Sequence, residues 1–149
     1  MSSAHLKTLR EVTGLTMQEA ADLAAVELRT WQRWEAPDNT APLKPDVVEM
    51  LESAADLIDS MIDNALEWLE ELHEYTETEA HELPVTVARY RNQAALDAAH
   101  PDFPWPLSVY DSYTTHLLSL LRSLGHRATV VWDNQTPEEL SVAHYERIN

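Results

Sequence analysis

Arg29 and Arg33 stand four residues apart, with Gln32 three beyond Arg29. On a helix that spacing gathers all three on one face. A guanidinium can donate two hydrogen bonds to the O6 and N7 edge of guanine, and a glutamine amide can pair in the same way with adenine. The trio is therefore suited to reading base edges in a major groove. Glu27 and Leu28 immediately precede it, and Lys7, Arg10 and Gln18 are the polar side chains upstream. Together Lys7, Arg10, Gln18, Glu27, Leu28, Arg29, Gln32 and Arg33 form the candidate DNA-contacting set. The competing arrangement has Arg33 paired with Glu35 or another acid and Arg29 simply solvated.

Other spacings suggest other chemistry, each with a plainer explanation. His73, Glu77 and His81 recur at four-residue steps, and imidazoles beside carboxylates suit zinc or another divalent ion if one helix persists to His81. A solvated acidic helix end accounts for the same residues. Glu67, Glu70, Glu71 and Glu74 make two E-x-x-E pairs, a magnesium-binding pattern that needs carboxylates from further helices and a facing basic pocket. The sequence offers neither. Ser112 and His116 are one helical turn apart, but proximity without an oxyanion hole does not make a nucleophile. No catalytic residue, metal ligand or cofactor is assigned, and the chain is not expected to be an enzyme.

Charge bears directly on the DNA reading. Ten Lys and Arg oppose 26 Asp and Glu, a net charge of −16 over 149 residues. Such a surface repels phosphate, whereas DNA binding requires cations that displace condensed counterions. The imbalance is local, however: residues 1–50 carry −3, residues 51–100 carry −10 and residues 101–149 carry −3. Hydrophobic residues make up 44% of the chain, which is enough for a core and excludes bulk disorder. With no cysteine, disulfide frameworks and thiolate sites are excluded. The N-terminus lacks the apolar run of a signal peptide, and no stretch has the roughly 20 apolar residues that span a bilayer. A cytoplasmic location without membrane contact is expected.

The elements that must position the candidate residues follow from periodicity. Leu6, Leu9 and Val12 recur at helical spacing and lead into Gly14. Thr16 can cap a second helix, with Glu19 closing the capping box and Ala20-Ala21 allowing a close helix crossing. A short turn at Ala25-Val26-Glu27 precedes a third helix from Leu28 to Glu35, which together give helix-turn-helix spacing. Trp31 and Trp34 belong on its inner face, with their indole N–H groups at the edge of the core. Pro37, Pro42 and Pro45 mark a linker. From Val47 a heptad stripe runs through Leu51, Ala54, Ile58, Met61, Ala65, Trp68 and Leu72 to Tyr75, with acids on the opposite face. That helix, from about Pro45 to Tyr75, is longer than the N-terminal unit can cover, so the rest of the chain or a second copy must shield it.

The C-terminal part reads as strand, short helix, long helix and strand. The strands are Leu83–Tyr90 and His126–Trp132; the helices are Asn92–Ala99 and Leu107–Leu124, the latter with Val109, Tyr113, Leu117, Leu120, Leu121 and Leu124 inward. This βααβ order allows parallel strand pairing. Phe103, Trp105 and Tyr110 are expected to plug the C-terminal core, and Thr136-Pro137-Glu138-Glu139 suggests a final short helix. The predicted fold is mainly α with a small β component. It comprises an N-terminal helix-turn-helix bundle over residues 1–45, a long acidic amphipathic linking helix over 46–82 and a C-terminal α/β (βααβ) dimerisation half over 83–149.

From Arg10 through Glu35 the sequence resembles the Cro/repressor-type helix-turn-helix family without a gap. Trp31-Gln32-Arg33-Trp34-Glu35, then Pro45-Asp46-Val47-Val48-Glu49, Pro101-Asp102-Phe103 and Tyr110-Asp111-Ser112 extend the likeness to most of residues 4–124. In these motifs the chain resembles the YdiL-like family of small bacterial proteins, to which anti-CRISPR-associated phage regulators are similar. The resemblance implies a homodimeric repressor that binds double-stranded DNA at an inverted repeat. Met17 stands where repressor-type motifs usually open the second helix with a phosphate-contacting Gln, so that contact is either missing or moved to Gln18. Ala25 stands where they usually carry a turn glycine, and it fits if its φ stays negative. A second reading takes the helix-turn-helix as a packing unit and gives the acidic surface to a basic protein partner, as in an antitoxin-like or phage-associated inhibitor.

Overall fold

The computed structural model describes residues 1–76 and 84–135. Ser2 opens helix α1 (Ser3–Thr13) by accepting the amide of His5 through its hydroxyl. Helix α2 (Met17–Leu23) follows after a three-residue break, and α3 (Leu28–Glu35) after a turn. Helix α4 (Pro45–Thr76) has 32 residues, an axial length of about 48 Å at 1.5 Å per residue. Then come strand β1 (Val85–Arg89), helix α5 (Gln93–Ala99), helix α6 (Leu107–Ser123) and strand β2 (Ala128–Trp132). The fold is thus mainly helical with one small sheet, and the observed ends lie within a few residues of the expected ones. The Thr136–Glu139 helix expectation lies outside the described residues.

β1 and β2 pair in parallel, in register from Val85 opposite Ala128 to Arg89 opposite Trp132. Parallel strands need a long crossover, and α5 and α6 supply it. Four consecutive residues of β1, Val85 to Ala88, are buried, as expected for a strand covered on both faces. Beyond the pairing, the Arg91 backbone N–H and guanidinium both donate to Asp133, and the Asp133 N–H donates to the Arg89 carbonyl. The bonds from Arg91, the guanidinium first, hold the Asp133 carboxyl below the usual range.

α4 packs against α1 and α6. Its buried residues Val47, Leu51, Ala54, Ile58 and Ala65 follow the expected stripe, Leu69 is buried beside it where Met61, Trp68 and Leu72 are half-buried, and Glu49, Glu52, Asp56, Asp59, Asp63, Glu67, Glu70, Glu71 and Glu74 are all exposed. The rest of the chain therefore supplies part of the cover that α4 needs. One apolar cluster runs from Leu6, Leu15 and Trp31 through Leu51 and Ile58 to Leu117 and Leu121. Leu124, expected inward, is 53% exposed. The helix ends just before it, and Gly125 at φ +86° turns the chain so that the His126 N–H returns to the Leu121 carbonyl, a Schellman closure that carries Leu124 to the surface.

α1 also touches α6 directly. The Ser112 hydroxyl donates to the Val12 carbonyl at 2.6 Å. Gly14, with φ +80°, sits so close that a Cβ there would lie 2.4 Å from the Ser108 carbonyl oxygen. Only glycine meets both conditions, and the N-terminal helices are thereby seated on the C-terminal half as well as on α4.

An aromatic group closes the far end of the core. The ring of Tyr110 lies between 5.2 and 5.4 Å, centroid to centroid, from Tyr90, His100, Phe103 and Tyr113. The Tyr90 hydroxyl lies 2.9 Å from Nε2 of His100, and the Tyr110 hydroxyl 3.5 Å from the same atom. The Tyr90 hydroxyl donates to Nε2 or accepts from it according to the imidazole tautomer, and burial pushes the His100 pKa down. As pH falls through the ordinary histidine range near 6.5, the unfolded chain takes up a proton before the folded one does, so stability is held above that range and lost below it. The thermal midpoint is expected to drop between about pH 7.5 and about pH 5.5, and to drop less in His100→Gln. Equal drops in the two proteins would remove His100 as the cause.

Candidate nucleic-acid interface

Both short helices of the N-terminal unit are built by local rules. The Thr16 hydroxyl accepts the Glu19 amide and the Glu19 carboxylate accepts the Thr16 amide, each at 3.0 Å, so the expected capping box is in place. At the other end of α2 the Ala25 N–H bonds to the Asp22 carbonyl and the Val26 N–H to the Ala21 carbonyl. This is again a Schellman turn, and it requires a left-handed residue at its apex. Ala25 takes that conformation at φ +56°. The expectation of a negative φ is therefore corrected: hydrogen bonding of the last α2 carbonyls overrides the side chain's preference.

The inner face of α3 is fixed by a charge pair. Arg10 on α1 donates through Nε to Glu35 Oε2 at 2.6 Å and through a terminal nitrogen to Oε1 at 2.9 Å. Its other terminal nitrogen donates to the Leu15 carbonyl at 2.9 Å. The Trp31 indole N–H donates to Glu35 Oε2 from one helical turn earlier. Arg10 and Glu35 keep only 11% and 5% side-chain exposure. The hydrogen bond to Glu35 raises the already high Arg10 pKa despite burial. Trp31 is fully buried and meets the half-buried Trp34 edge to face at 5.6 Å.

Two expectations change here. Arg10 is not among the outward-facing cations, because its donors are spent inside. The Trp31 N–H lies on a buried carboxylate and not at the core edge. The sequence did carry a signal, since Glu35 follows Trp31 by four residues and so shares its inward face, but no local rule names Arg10 as its partner.

The outer face of α3 keeps its residues available. Arg29, Gln32 and Arg33 are exposed together, and neither arginine forms an ion pair with a described residue. Glu27 is exposed at the N-cap, and Leu28 is half-buried beside it. Lys7 is exposed on α1. Gln18 is exposed on α2 with its amide nitrogen donating to Asp22 at 2.8 Å. Of the eight candidates, the structure gathers Glu27, Leu28, Arg29, Gln32 and Arg33 on one helix, leaves Lys7 and Gln18 on neighbouring helices and withdraws Arg10.

The alternative chemistries gain little. Among the described residues no group of three or more His, Cys, Asp or Glu could hold a metal ion; Glu77 and His81 fall outside those residues. Ser112 lies 3.3 Å from His116 Nδ1 but donates its proton to Val12, which makes it a docking residue. No helix of the described residues is long and apolar enough to cross a membrane.

The buried pair generates a stability test. Removing one partner of a buried ion pair costs about 3–5 kcal/mol, because the other charge stays buried and uncompensated. Arg10→Met should therefore destabilise by about 3 kcal/mol or more in urea unfolding. Adding Glu35→Gln should recover part of that loss, since an amide oxygen still accepts from Trp31 without carrying charge. Ala25→Gly should gain about 1 kcal/mol by relieving the left-handed alanine. A double variant no more stable than Arg10→Met would show that the stranded charge is not the source of the cost.

Residues 1–101 match the family described as Aca2/YdiL-like. No curated protein matches the chain. The match covers α1 to α5 and stops before α6, although the Tyr110-Asp111-Ser112 likeness lies in that helix and α6 is the surface on which α1 rests. Spanning more than half of the sequence and the whole N-terminal unit, it assigns the chain to the Aca2/YdiL-like family.

Proposed function

We propose that this protein is a homodimeric helix-turn-helix transcriptional regulator, a repressor that binds an inverted repeat through α3. The observation that carries this reading is the division of labour on one eight-residue helix. Its inner residues are locked by the Arg10–Glu35–Trp31 network, while Arg29, Gln32 and Arg33 stand exposed and unspent on the other side. Membership in a family of regulator-type small proteins supports it. Arg29 and Arg33 would read guanine and Gln32 adenine, and two copies of α3 would enter successive major grooves about 34 Å apart. Repression is then steric exclusion at the promoter.

The charge distribution sets the character of binding. With Arg10 withdrawn, Lys7 is the phosphate-directed cation on α1, and a dimer making about two such phosphate contacts has a log–log salt slope of only about −2. Affinity would therefore depend chiefly on base contacts. The acidic outer face of α4 turns away from DNA in this reading and suppresses binding to arbitrary sequence. A gel shift across the protein's own upstream region at low salt, together with selection from random duplexes, tests the proposal. Arg29→Ala and Arg33→Ala should each weaken specific binding about 10-fold or more, and Lys7→Ala should weaken it less and flatten the salt slope. A folded protein that selects no sequence sinks it.

The row of exposed carboxylates on α4 favours a second reading, in which that face mimics phosphates for a basic protein partner. Stoichiometric capture of such a partner from native lysate, by protein that selects no DNA sequence, would place this reading first.

A further inference from the structure

Glu27 is costly on any surface that approaches phosphates, and beyond placing charge at the N-terminus of α3 its side chain makes no cap bond or ion pair with a described residue. It is the N-cap of α3, with extended backbone angles of φ −73° and ψ 150°. N-cap side chains are usually Ser, Thr, Asp or Asn because their oxygen accepts an amide of the first turn. Thr16 does so for α2, but the Glu27 side chain makes no cap bond. Its backbone carbonyl alone accepts the Thr30 and Trp31 amides, at 2.9 and 3.2 Å. The carboxylate is exposed and forms no ion pair with a described residue, not even with Arg29 two positions on.

Building on the DNA-binding reading above, we infer that Glu27 is a specificity-determining residue: it reads a cytosine in the major groove and penalises duplexes that lack one at that position. Recognition helices present their N-terminal residues to base edges, which is where Glu27 stands. A carboxylate only accepts hydrogen bonds, and the major-groove donors are the amino groups of cytosine (N4) and adenine (N6); adenine sets the acceptor N7 beside its amino group, which faces a carboxylate oxygen unfavourably, so cytosine is the better match. Guanine offers two acceptors there and thymine an acceptor and a methyl group, so both leave the carboxylate desolvated without a partner. On non-cognate DNA the charge sits among phosphates with no compensating bond. One residue thus favours the right sequence and repels the wrong ones, which widens the gap between them more than an added attraction alone. Arg29 and Arg33 seek guanine, so the half-site is expected to combine guanine with a cytosine read at the N-terminal end of α3.

The test is random-site selection with the full-length wild type, Glu27→Gln and Glu27→Ala, followed by affinity titration on selected and scrambled duplexes. Because the Glu27 side chain makes no cap bond, the thermal midpoints of the three proteins should differ only by the small loss of its charge at the N-terminus of α3. The wild type should select a cytosine whose replacement costs about 10-fold or more. Glu27→Gln should shift that position toward adenine, Glu27→Ala should leave it without preference, and both should bind scrambled duplex several-fold more tightly than the wild type. Selected sites with no cytosine that responds to Glu27, or variants that gain affinity equally for every duplex, would overturn the assignment while leaving DNA binding intact. A wild type that selects no sequence overturns the DNA-binding reading itself, and this assignment with it.

Discussion

A guanidinium on the first helix and a carboxylate on the last residue of the third are held together away from water, and most of the N-terminal architecture follows from satisfying them. Arg10 bonds both oxygens of Glu35 and the Leu15 carbonyl in the α1–α2 connection, and Glu35 also receives the Trp31 indole. A buried charge is tolerated only when its hydrogen-bonding capacity is filled. Filling it fixes the distance of α3 from α1, the path of the chain after Gly14 and the rotation of α3 about its own axis. Once Trp31 and Glu35 face inward, helical geometry leaves Arg29, Gln32 and Arg33 outside. The exposed face is therefore a consequence of the buried one.

That unit is in turn seated on the rest of the chain. Gly14 lies against α6 where a Cβ would collide with backbone, and Ser112 ties α6 to the last turn of α1. α4 packs against both helices and α6 covers the parallel pair β1–β2. Contacts on α1 and α3 are thus continuous with the core of the C-terminal half, so a change in how α6 packs would be felt at α1 through two short contacts and not only along the length of α4.

Charge and fold are reconciled by segregation. Asp and Glu crowd the outer face of α4, where water solvates them and no partner is needed for folding. Among the described residues the more covered acids stand beside a cation: Glu35 with Arg10, Asp133 with Arg91, and the partly covered Asp111, whose Oδ2 meets Arg89 at 3.3 Å while its buried Oδ1 has no hydrogen-bond partner. Burial raises the Asp111 carboxyl and Arg89 offsets part of that rise. The net charge of −16 is therefore mostly a property of one helix face, while the outer side of α3 has arginines without acidic partners.

Periodicity and end signals in the sequence were sufficient to locate the helices and strands, because those signals act over three or four residues. The stripe from Val47 defines α4, Thr16 and Glu19 define the start of α2, Gly125 ends α6, and two β-branched runs separated by helices imply the parallel pair. Helical spacing also put Arg29, Gln32 and Arg33 on one face. What remained illegible depends on groups far apart in the chain. The 25-position separation of Arg10 and Glu35 hides a pairing that turned a candidate DNA contact into a structural one. The seat of Gly14 on Ser108 depends on α6, and the left-handed Ala25 on the cooperative closure of two hydrogen bonds. Residue type limits what a side chain can do, but whether its donors remain free is decided by which other groups folding brings within about 3 Å.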